Sequence, residues 1–163
     1  MDNRTTVYLA LGSNLGDRRA MLDGAAARLG DAGVTVEARS AIYETDAVAD
    51  EPQPPYLNAV LRARTALDPH ALLALCLDVE RALGRVRPPG RRKAARTIDV
   101  DVLLHGDAVV DDPGRLSLPH PALLERPFVL IPLADVARPG LRHPITGAPL
   151  DRAAPAAGVR RID

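Results

Sequence analysis

The fourth strand of the predicted fold is Thr97-Ile98-Asp99-Val100-Asp101-Val102-Leu103-Leu104. Its branched and apolar residues favour a strand, and the alternation of side chains in a strand places Asp99 and Asp101 on one face, about 6.6 Å apart. Two neighbouring carboxylates are a candidate site for Mg²⁺, which is commonly held by one or two carboxylates together with water and substrate phosphates. The same pattern also fits an ordinary edge strand with a solvated acidic face, packed on the core through its alternate apolar residues.

A basic segment leads into this strand. Six positively charged side chains and no acidic one lie between residues 85 and 96. Arginine can bind two phosphate oxygens at once, so this segment is suited to the anionic part of a phosphorylated substrate. A basic segment next to paired aspartates favours a metal-assisted phosphoryl-transfer enzyme over the solvated edge strand. The six residues are Arg85, Arg87, Arg91, Arg92, Lys93 and Arg96.

Upstream of this strand the sequence predicts further strands and two helices. Asp68 followed by Pro69 predicts a helix start, because the Asp can accept hydrogen bonds from free amides and proline suits the first turn. The order strand-helix-strand-strand-helix-strand is that of the ferredoxin-like α+β fold, an antiparallel sheet with helices packed on it. The predicted strands cover residues 6–11, 34–43 and 56–64, and the predicted helices end at Gly30 and Gly84.

Downstream of this strand the chain continues beyond the ferredoxin-like core. We expect a short hairpin within residues 109–118 and a helix within residues 121–136. Residues 138–163 are rich in proline, alanine and arginine, and the sequence predicts no definite structure for this tail. A chain of 163 residues fits one domain. We therefore predict a single domain over residues 1–163, with C-terminal additions to the core.

The composition narrows the classes of function. The 21 basic and 21 acidic residues cancel, so no overall field attracts the chain to nucleic acid or to an anionic membrane. We find no signal peptide and no apolar run of membrane-spanning length, and we expect a cytoplasmic protein. The rival function is a ferredoxin-like RNA-binding module. Such a sheet presents aromatic side chains on its central strands, whereas the strand described above presents two aspartates.

Several short motifs follow one another between residues 8 and 136. They include Gly12-Ser13-Asn14-Leu15-Gly16-Asp17, Gln53-Pro54-Pro55-Tyr56-Leu57-Asn58-Ala59, Pro119-His120-Pro121 and Arg126-Pro127-Phe128-Val129-Leu130. The set is completed by Tyr43-Glu44-Thr45, by Glu80 with Gly84-Arg85-Val86-Arg87, and by the aspartate strand. In this order and at this spacing the motifs resemble those of the 6-hydroxymethyl-7,8-dihydropterin pyrophosphokinases, a family of the folate pathway.

The resemblance implies a reaction and its ligands. A pyrophosphoryl group passes from ATP to the exocyclic hydroxymethyl group of the pterin, and AMP is released. The resemblance also implies a ferredoxin-like fold and small-molecule substrates, ATP and the pterin. We expect neither nucleic acid nor a membrane as partner, and a monomer fits the chain. Six like charges between residues 85 and 96 repel one another in the absence of an anion, so we expect residues 85–95 to close over the bound substrates.

The same resemblance assigns residues to the pterin. Tyr56 and Phe128 match the two rings that stack on its faces. Asn58, Thr45 and the backbone near Val48 match the groups that bond its edge. Stacking and in-plane hydrogen bonds are well suited to a flat, polar heteroaromatic molecule, which agrees with this assignment.

The residues of the nucleotide side follow from the resemblance as well. Asp99 and Asp101 match residues that carry two Mg²⁺ ions, which bridge the triphosphate of ATP. Catalytic positions that contact or stabilise phosphates are matched by Arg85, Arg87 and Arg96. The residues assigned to the ATP side are Glu80, Arg87, Arg96, Ile98, His120 and Arg126.

The chain departs from the family at two places. It has Lys93-Ala94-Ala95-Arg96 where many members have Trp-Gly-Pro-Arg or Asn-Gly-Pro-Arg, and it has Asp46 where a proline usually follows Thr45. The first difference leaves Arg91 and Arg92 without individual roles.

Overall fold

An antiparallel β-sheet forms the centre of the fold. The structure, a computed structural model of the chain, describes residues 2–47, 52–84 and 97–163. Within these residues the strands are β1 (Thr5–Ser13), β2 (Val34–Arg39), β3 (Tyr43–Thr45), β4 (Tyr56–Thr65), β5 (Asp99–His105), β6 (Val110–Asp112), β7 (Leu116–Leu118) and β8 (Val159–Arg161). The helices are α1 (Arg18–Asp31), α2 (Pro69–Ala82) and α3 (Pro127–Val136), with a short 3-10 helix at Leu123–Glu125.

The sheet brings three polar residues beside two small residues of β1. Strand β1 lies between β5 and β4, the sheet continues through β3 to β8, and β2 also pairs with β4. Gly12 of β1 is paired with Asn58 of β4 on one side and with Asp99 of β5 on the other. Two residues earlier, Ala10 is paired with Asp101. Because side chains alternate along a strand, these residues share one face of the sheet.

Helices cover both faces of this sheet. Leu22 of α1 and Leu72 of α2 belong to one buried cluster, which includes Leu9 of β1. Leu133 of α3 belongs to a second cluster, which includes the neighbouring Tyr8. Consecutive residues of a strand point to opposite faces, so α1 and α2 pack on one face and α3 on the other. The described helices are all too short or too polar to cross a membrane.

The start of α2 follows the prediction, but the end of α1 does not. Asp68 caps α2, and its carboxylate accepts a hydrogen bond from the backbone N–H of Ala71 over 2.8 Å. The predicted end of α1 at Gly30 is wrong, since the helix runs through this residue to Asp31. Gly33, two residues after the end of α1, has a left-handed backbone, at a φ of 96°. The prediction that α1 ends near a glycine is therefore correct, but the glycine that was chosen lies too early in the sequence.

The predicted strand at 34–43 is two strands. Its pairing with β4 shifts between Val36 and Ala38, and β2 ends at Arg39. Ser40 then bonds β4 with both its backbone and its side chain: its N–H donates to the Val60 carbonyl, and its hydroxyl accepts from the Val60 N–H over 2.8 Å. A side chain that takes the place of a backbone partner interrupts the regular pairing, and β3 begins at Tyr43.

The ferredoxin-like prediction is confirmed by the order of the elements up to β5. The predicted hairpin is formed by β6 and β7, and the predicted helix by α3. The tail, for which the sequence predicted no definite structure, packs on the sheet. Leu150 is buried in the second cluster, and β8 pairs with β3. The tail therefore adds a strand next to β3.

Candidate active site

A cavity of about 380 Å³ opens on the face of the sheet that α3 covers. Strands β1, β3, β4 and β5 and the start of α3 contribute its walls. The structure therefore brings together, around one cavity, residues that lie far apart in the sequence. Seven predicted site residues line it: Thr45, Tyr56, Asn58, Asp99, Asp101, Arg126 and Phe128.

Gly12 of β1 also lines this cavity. A Cβ atom at this position would lie 3.5 Å from Cδ1 of Tyr56 and 3.6 Å from Oδ1 of Asn58. These are ordinary van der Waals distances, so a side chain would occupy space between the ring and the amide. Glycine leaves this space to the cavity.

Asn58 and Thr45 form the polar wall. Both are buried, and the amide nitrogen of Asn58 donates to the hydroxyl oxygen of Thr45 over 2.9 Å. The same nitrogen lies 3.4 Å from the carbonyl oxygen of Tyr43, which fixes the orientation of the amide. A hydroxyl that accepts one hydrogen bond can still donate its own hydrogen. The pair can therefore present a carbonyl oxygen and a hydroxyl group to the edge of a polar ring.

Tyr56 and Phe128 provide the aromatic surface of the cavity. Tyr56 is the first residue of β4, and Phe128 lies in the first turn of α3. The guanidinium carbon of Arg126 lies 5.7 Å from the centre of the Phe128 ring, a distance at which the cation attracts the face of the ring. Two rings and a cation are thus placed at the same cavity.

A second cavity, of about 280 Å³, adjoins the first. His120 lines it together with Arg115 of the β6–β7 hairpin and Asp101, which also lines the larger cavity. Burial lowers the pKa of His120, and the charge of Arg126 lowers it further, although Asp99 opposes them. Nδ1 of His120 accepts a hydrogen bond from the backbone N–H of Ala122 over 3.1 Å. The neutral ring therefore carries its proton on Nε2 and can donate from there.

Asp99 and Asp101 lie on the cavity face of β5, and Asp101 also lines the second cavity. Both are partly buried and line the larger cavity from β5, while Ile98, Val100 and Val102 are buried on the core side. Among the described residues, no three side chains of His, Cys, Asp or Glu form a cluster that could hold a metal. Two carboxylates on one face suit Mg²⁺, which is commonly held by one or two carboxylates together with water and substrate phosphates. The donor set therefore fits the predicted metal.

Two predicted ATP-side residues lie in neither of these cavities. The side chain of Ile98 is fully buried in the core. Glu80 is buried as well, and it bonds the backbone of β5 from the side of α2. Both residues support β5 from within the protein. Val48, Arg85, Arg87 and Arg96 lie outside the described residues, as does the 85–95 segment that is predicted to close.

Sequence reasoning gave no role to two charged residues that line the cavities. Asp46 lines the larger cavity, and Arg115 lines the smaller one. Asp46 directly follows Thr45, and this adjacency was the available signal. Arg115 follows Gly114 in the turn between β6 and β7 and belongs to no recognised motif. Arg115 lies at the smaller cavity because of the way in which the hairpin packs, and a single sequence does not show this packing.

Known proteins match most of the chain. The family model for 7,8-dihydro-6-hydroxymethylpterin-pyrophosphokinase (HPPK) matches residues 8–138. The 2-amino-4-hydroxy-6-hydroxymethyldihydropteridine pyrophosphokinase of Methylorubrum extorquens is 51% identical over 134 residues, which cover 82% of this chain and 83% of that protein. The Bacillus subtilis protein of the same name is 44% identical over 132 residues, which cover 80% of this chain and 77% of that protein.

The fold has a solved counterpart. A crystal structure of wild-type Plasmodium falciparum HPPK-DHPS with pterin and p-hydroxybenzoate superposes with a TM-score of 0.69, at 15% sequence identity. The superposition covers 91% of this chain and 42% of that one, and it shows a shared fold. The family model and the two relatives show more than the fold, because they match this chain in sequence over most of its length. The chain therefore belongs to the 7,8-dihydro-6-hydroxymethylpterin-pyrophosphokinase family, which confirms the family and the class of enzyme predicted from its sequence.

Proposed function

We propose that this chain transfers the pyrophosphoryl group of ATP to 6-hydroxymethyl-7,8-dihydropterin, with the pterin in the larger cavity and the triphosphate along the aspartate face of β5. The class of enzyme, a pyrophosphokinase of folate biosynthesis, follows from the family. One observation carries the placement of the ligands: Asp101 lines both cavities. Group transfer requires two reactants held against each other, and the junction of the cavities is the place where they can meet.

The larger cavity suits a pterin in size and chemistry. Its volume of about 380 Å³ is typical of a small-molecule site. The rings of Tyr56 and Phe128 would stack on the flat heteroaromatic, and Asn58 and Thr45 would bond its edge. In this orientation the hydroxymethyl group would point toward β5.

The smaller cavity suits part of the nucleotide. His120 would act as a neutral hydrogen-bond donor from Nε2, and Arg126 would add positive charge near the junction. Arg115 is a further candidate for a phosphate or sugar contact, because it lines this cavity. Contacts from Arg85, Arg87 and Arg96 to the phosphates stay predictions, and so does the closure of residues 85–95.

Asp99 and Asp101 would hold Mg²⁺, with two ions expected from the family resemblance. Bound there, the metal would offset the negative charge of the triphosphate oxygens during transfer. The protein would contribute mainly position: the rings fix the plane of the pterin, and the Asn58–Thr45 pair fixes its rotation. The cavity walls would keep water from competing with the hydroxymethyl group for the phosphate.

The enzyme would act as a cytoplasmic monomer. A chain of 163 residues is long enough to bury a core of its own, which agrees with a monomer. The chain has one cysteine, Cys76, which is buried and cannot form an internal disulfide. A protein without internal disulfides agrees with a reducing compartment.

Calorimetric titration tests this placement. A non-hydrolysable ATP analogue is titrated into the wild-type protein and the Asp101→Asn variant, with and without Mg²⁺, and the pterin is titrated separately. We expect Mg²⁺ to strengthen analogue binding strongly in the wild type and weakly in the variant, while pterin binds both proteins. Analogue binding that is equally strong with and without Mg²⁺ in both proteins would contradict the proposed placement of the triphosphate at Asp101.

A further inference from the structure

The C-terminal strand lies beside the proposed pterin cavity. Strand β8 pairs antiparallel with β3, so that Arg160 lies opposite Glu44 and Val159 lies opposite Thr45. Strand β3 has three residues, and its other neighbour is β4. The family model ends at residue 138, so β8 comes from a part of the chain that this model does not match. Strand β3, which carries Thr45 on the cavity wall, is therefore paired with a strand that lies beyond the residues matched by the family model.

Arg160 contacts the residues on both sides of Thr45. Its Nη2 atom lies 3.3 Å from Oε1 of Glu44 and 3.4 Å from Oδ1 of Asp46. Asp46 lines the larger cavity, whereas Arg160 does not. One guanidinium group thus holds the residue before Thr45 and the residue after it.

Glu44 extends this connection to the aromatic wall. Its second oxygen, Oε2, accepts a hydrogen bond from Arg18 over 3.0 Å. The same Arg18 nitrogen donates to the carbonyl oxygen of Pro55 over 2.9 Å, directly before Tyr56. The bonds from Arg18 and then from Arg160 hold the pKa of Glu44 below its usual range, so Glu44 is charged at neutral pH. A continuous chain of contacts runs from β8 through Glu44 to the start of β4.

We propose that Arg160 is a positioning residue for the pterin: through Glu44 and Asp46 it fixes the wall that carries Thr45. This inference rests on the proposed assignment of the larger cavity to the pterin. Because Arg160 acts through the polar wall and does not reach the junction at Asp101, its loss should weaken pterin binding and leave the nucleotide side unchanged. Individual exposed ion pairs contribute little to stability, so the effect should appear mainly in binding.

A series of substitutions at residue 160 tests the proposal in the full-length chain. Arg160→Ala removes both ion pairs, Arg160→Lys keeps a positive charge, and Arg160→Glu places a third carboxylate beside Glu44 and Asp46. The matched control is Arg161→Ala, since Arg161 is the next residue of β8 and its side chain bonds the Asp163 carbonyl. The dissociation constants of pterin and of an ATP analogue with Mg²⁺ are measured for each protein, together with KM, kcat and the unfolding temperature.

We expect Arg160→Ala to raise the dissociation constant and the KM of the pterin about threefold to tenfold, because binding must then immobilise the wall that carries Thr45, which Arg160 holds in place in the free wild-type protein. Arg160→Lys should recover most of this loss, Arg160→Glu should exceed it, and Arg161→Ala should bind pterin as the wild type does. Analogue binding and kcat should change little throughout. Unchanged pterin binding in the Ala and Glu variants would overturn the proposal, as would equal losses for both ligands. Absence of pterin binding by the wild type would instead overturn the proposed function itself.

Discussion

The carboxylate of Glu80 accepts a hydrogen bond from the backbone N–H of Val100 over 2.8 Å. Val100 lies between Asp99 and Asp101 on β5, an edge strand of the sheet. A buried side chain from α2 therefore takes the place of a neighbouring strand at the point that carries the proposed metal ligands. This relationship ties the position of the two aspartates to the packing of α2.

Substitution of Glu80 should destabilise this edge. We expect Glu80→Ala to lower the free energy of unfolding by about 1–3 kcal/mol, because it leaves a buried N–H group without its partner. Glu80→Gln keeps an oxygen that can accept the same bond and should recover part of the loss. Chemical denaturation of the three proteins measures the effect. An alanine variant as stable as the wild type would show that this bond does not support β5.

Substitution of the aspartates should affect catalysis and not folding. Asp99→Asn and Asp101→Asn should each lower kcat by at least about 10²–10³, the loss typical of a positioned charge contact. Their side chains face the cavity, so circular dichroism and the unfolding temperature should match the wild type. Turnover close to that of the wild type in Asp99→Asn would mean that the acidic face of β5 is merely solvated.

Loss of either aromatic ring should lower the affinity for the pterin and leave the affinity for the ATP analogue unchanged. Phe128→Ala and Tyr56→Ala should weaken pterin binding, because stacking contributes about 0.5–1.5 kcal/mol beyond the burial of area. Phe128→Tyr, which keeps a ring, serves as the matched control. Titration of the ATP analogue into the same proteins is the internal reference, and its affinity should stay close to the wild-type value. Equal weakening of both ligands would argue against a pterin sandwich.

Stability should fall as the pH is lowered, partly through His143 in the C-terminal tail. Its Nδ1 atom accepts hydrogen bonds from the N–H groups of Ile145 and Thr146, each over 3.2 Å, and burial lowers its pKa. In the unfolded chain the ring has its ordinary pKa of about 6.5, so the unfolded state binds the proton first as the pH falls. The stabilising contribution is therefore present above about pH 6.5 and is lost below it.

Denaturation at pH 7.5 and at 5.5, chosen on either side of the ordinary histidine pKa of about 6.5, measures this contribution. His143→Asn should show a smaller decrease in the free energy of unfolding between the two conditions than the wild type. The same decrease in both proteins would assign the pH dependence to other groups.

The parts of the fold that follow local rules could be predicted from the sequence. Alternation placed Asp99 and Asp101 on one face, and the Asp68–Pro69 pair marked the start of α2. The motifs identified the residues that surround the larger cavity, because family members share them in one order. These features depend on neighbouring residues or on motifs, and both are visible in one sequence.

The features that were not predicted depend on contacts between residues that lie far apart in the sequence. The break after Arg39 arises because the Ser40 hydroxyl bonds Val60 on another strand. Strand β8 has three residues in an arginine-rich tail without periodicity, and its place beside β3 is set by pairing across more than a hundred residues. Arg160 reaches the cavity wall through this pairing, so no local pattern could have assigned it a role.

The identity of the nucleotide product tests the central claim most directly. The wild-type protein is incubated with ATP, 6-hydroxymethyl-7,8-dihydropterin and Mg²⁺, and the nucleotides and pterins are separated by ion-exchange chromatography. The account predicts AMP and the pterin diphosphate in equal amounts, with neither product when Mg²⁺ is removed. ADP as the nucleotide product, or ATP consumption that does not depend on the pterin, would contradict pyrophosphoryl transfer at the junction of the two cavities.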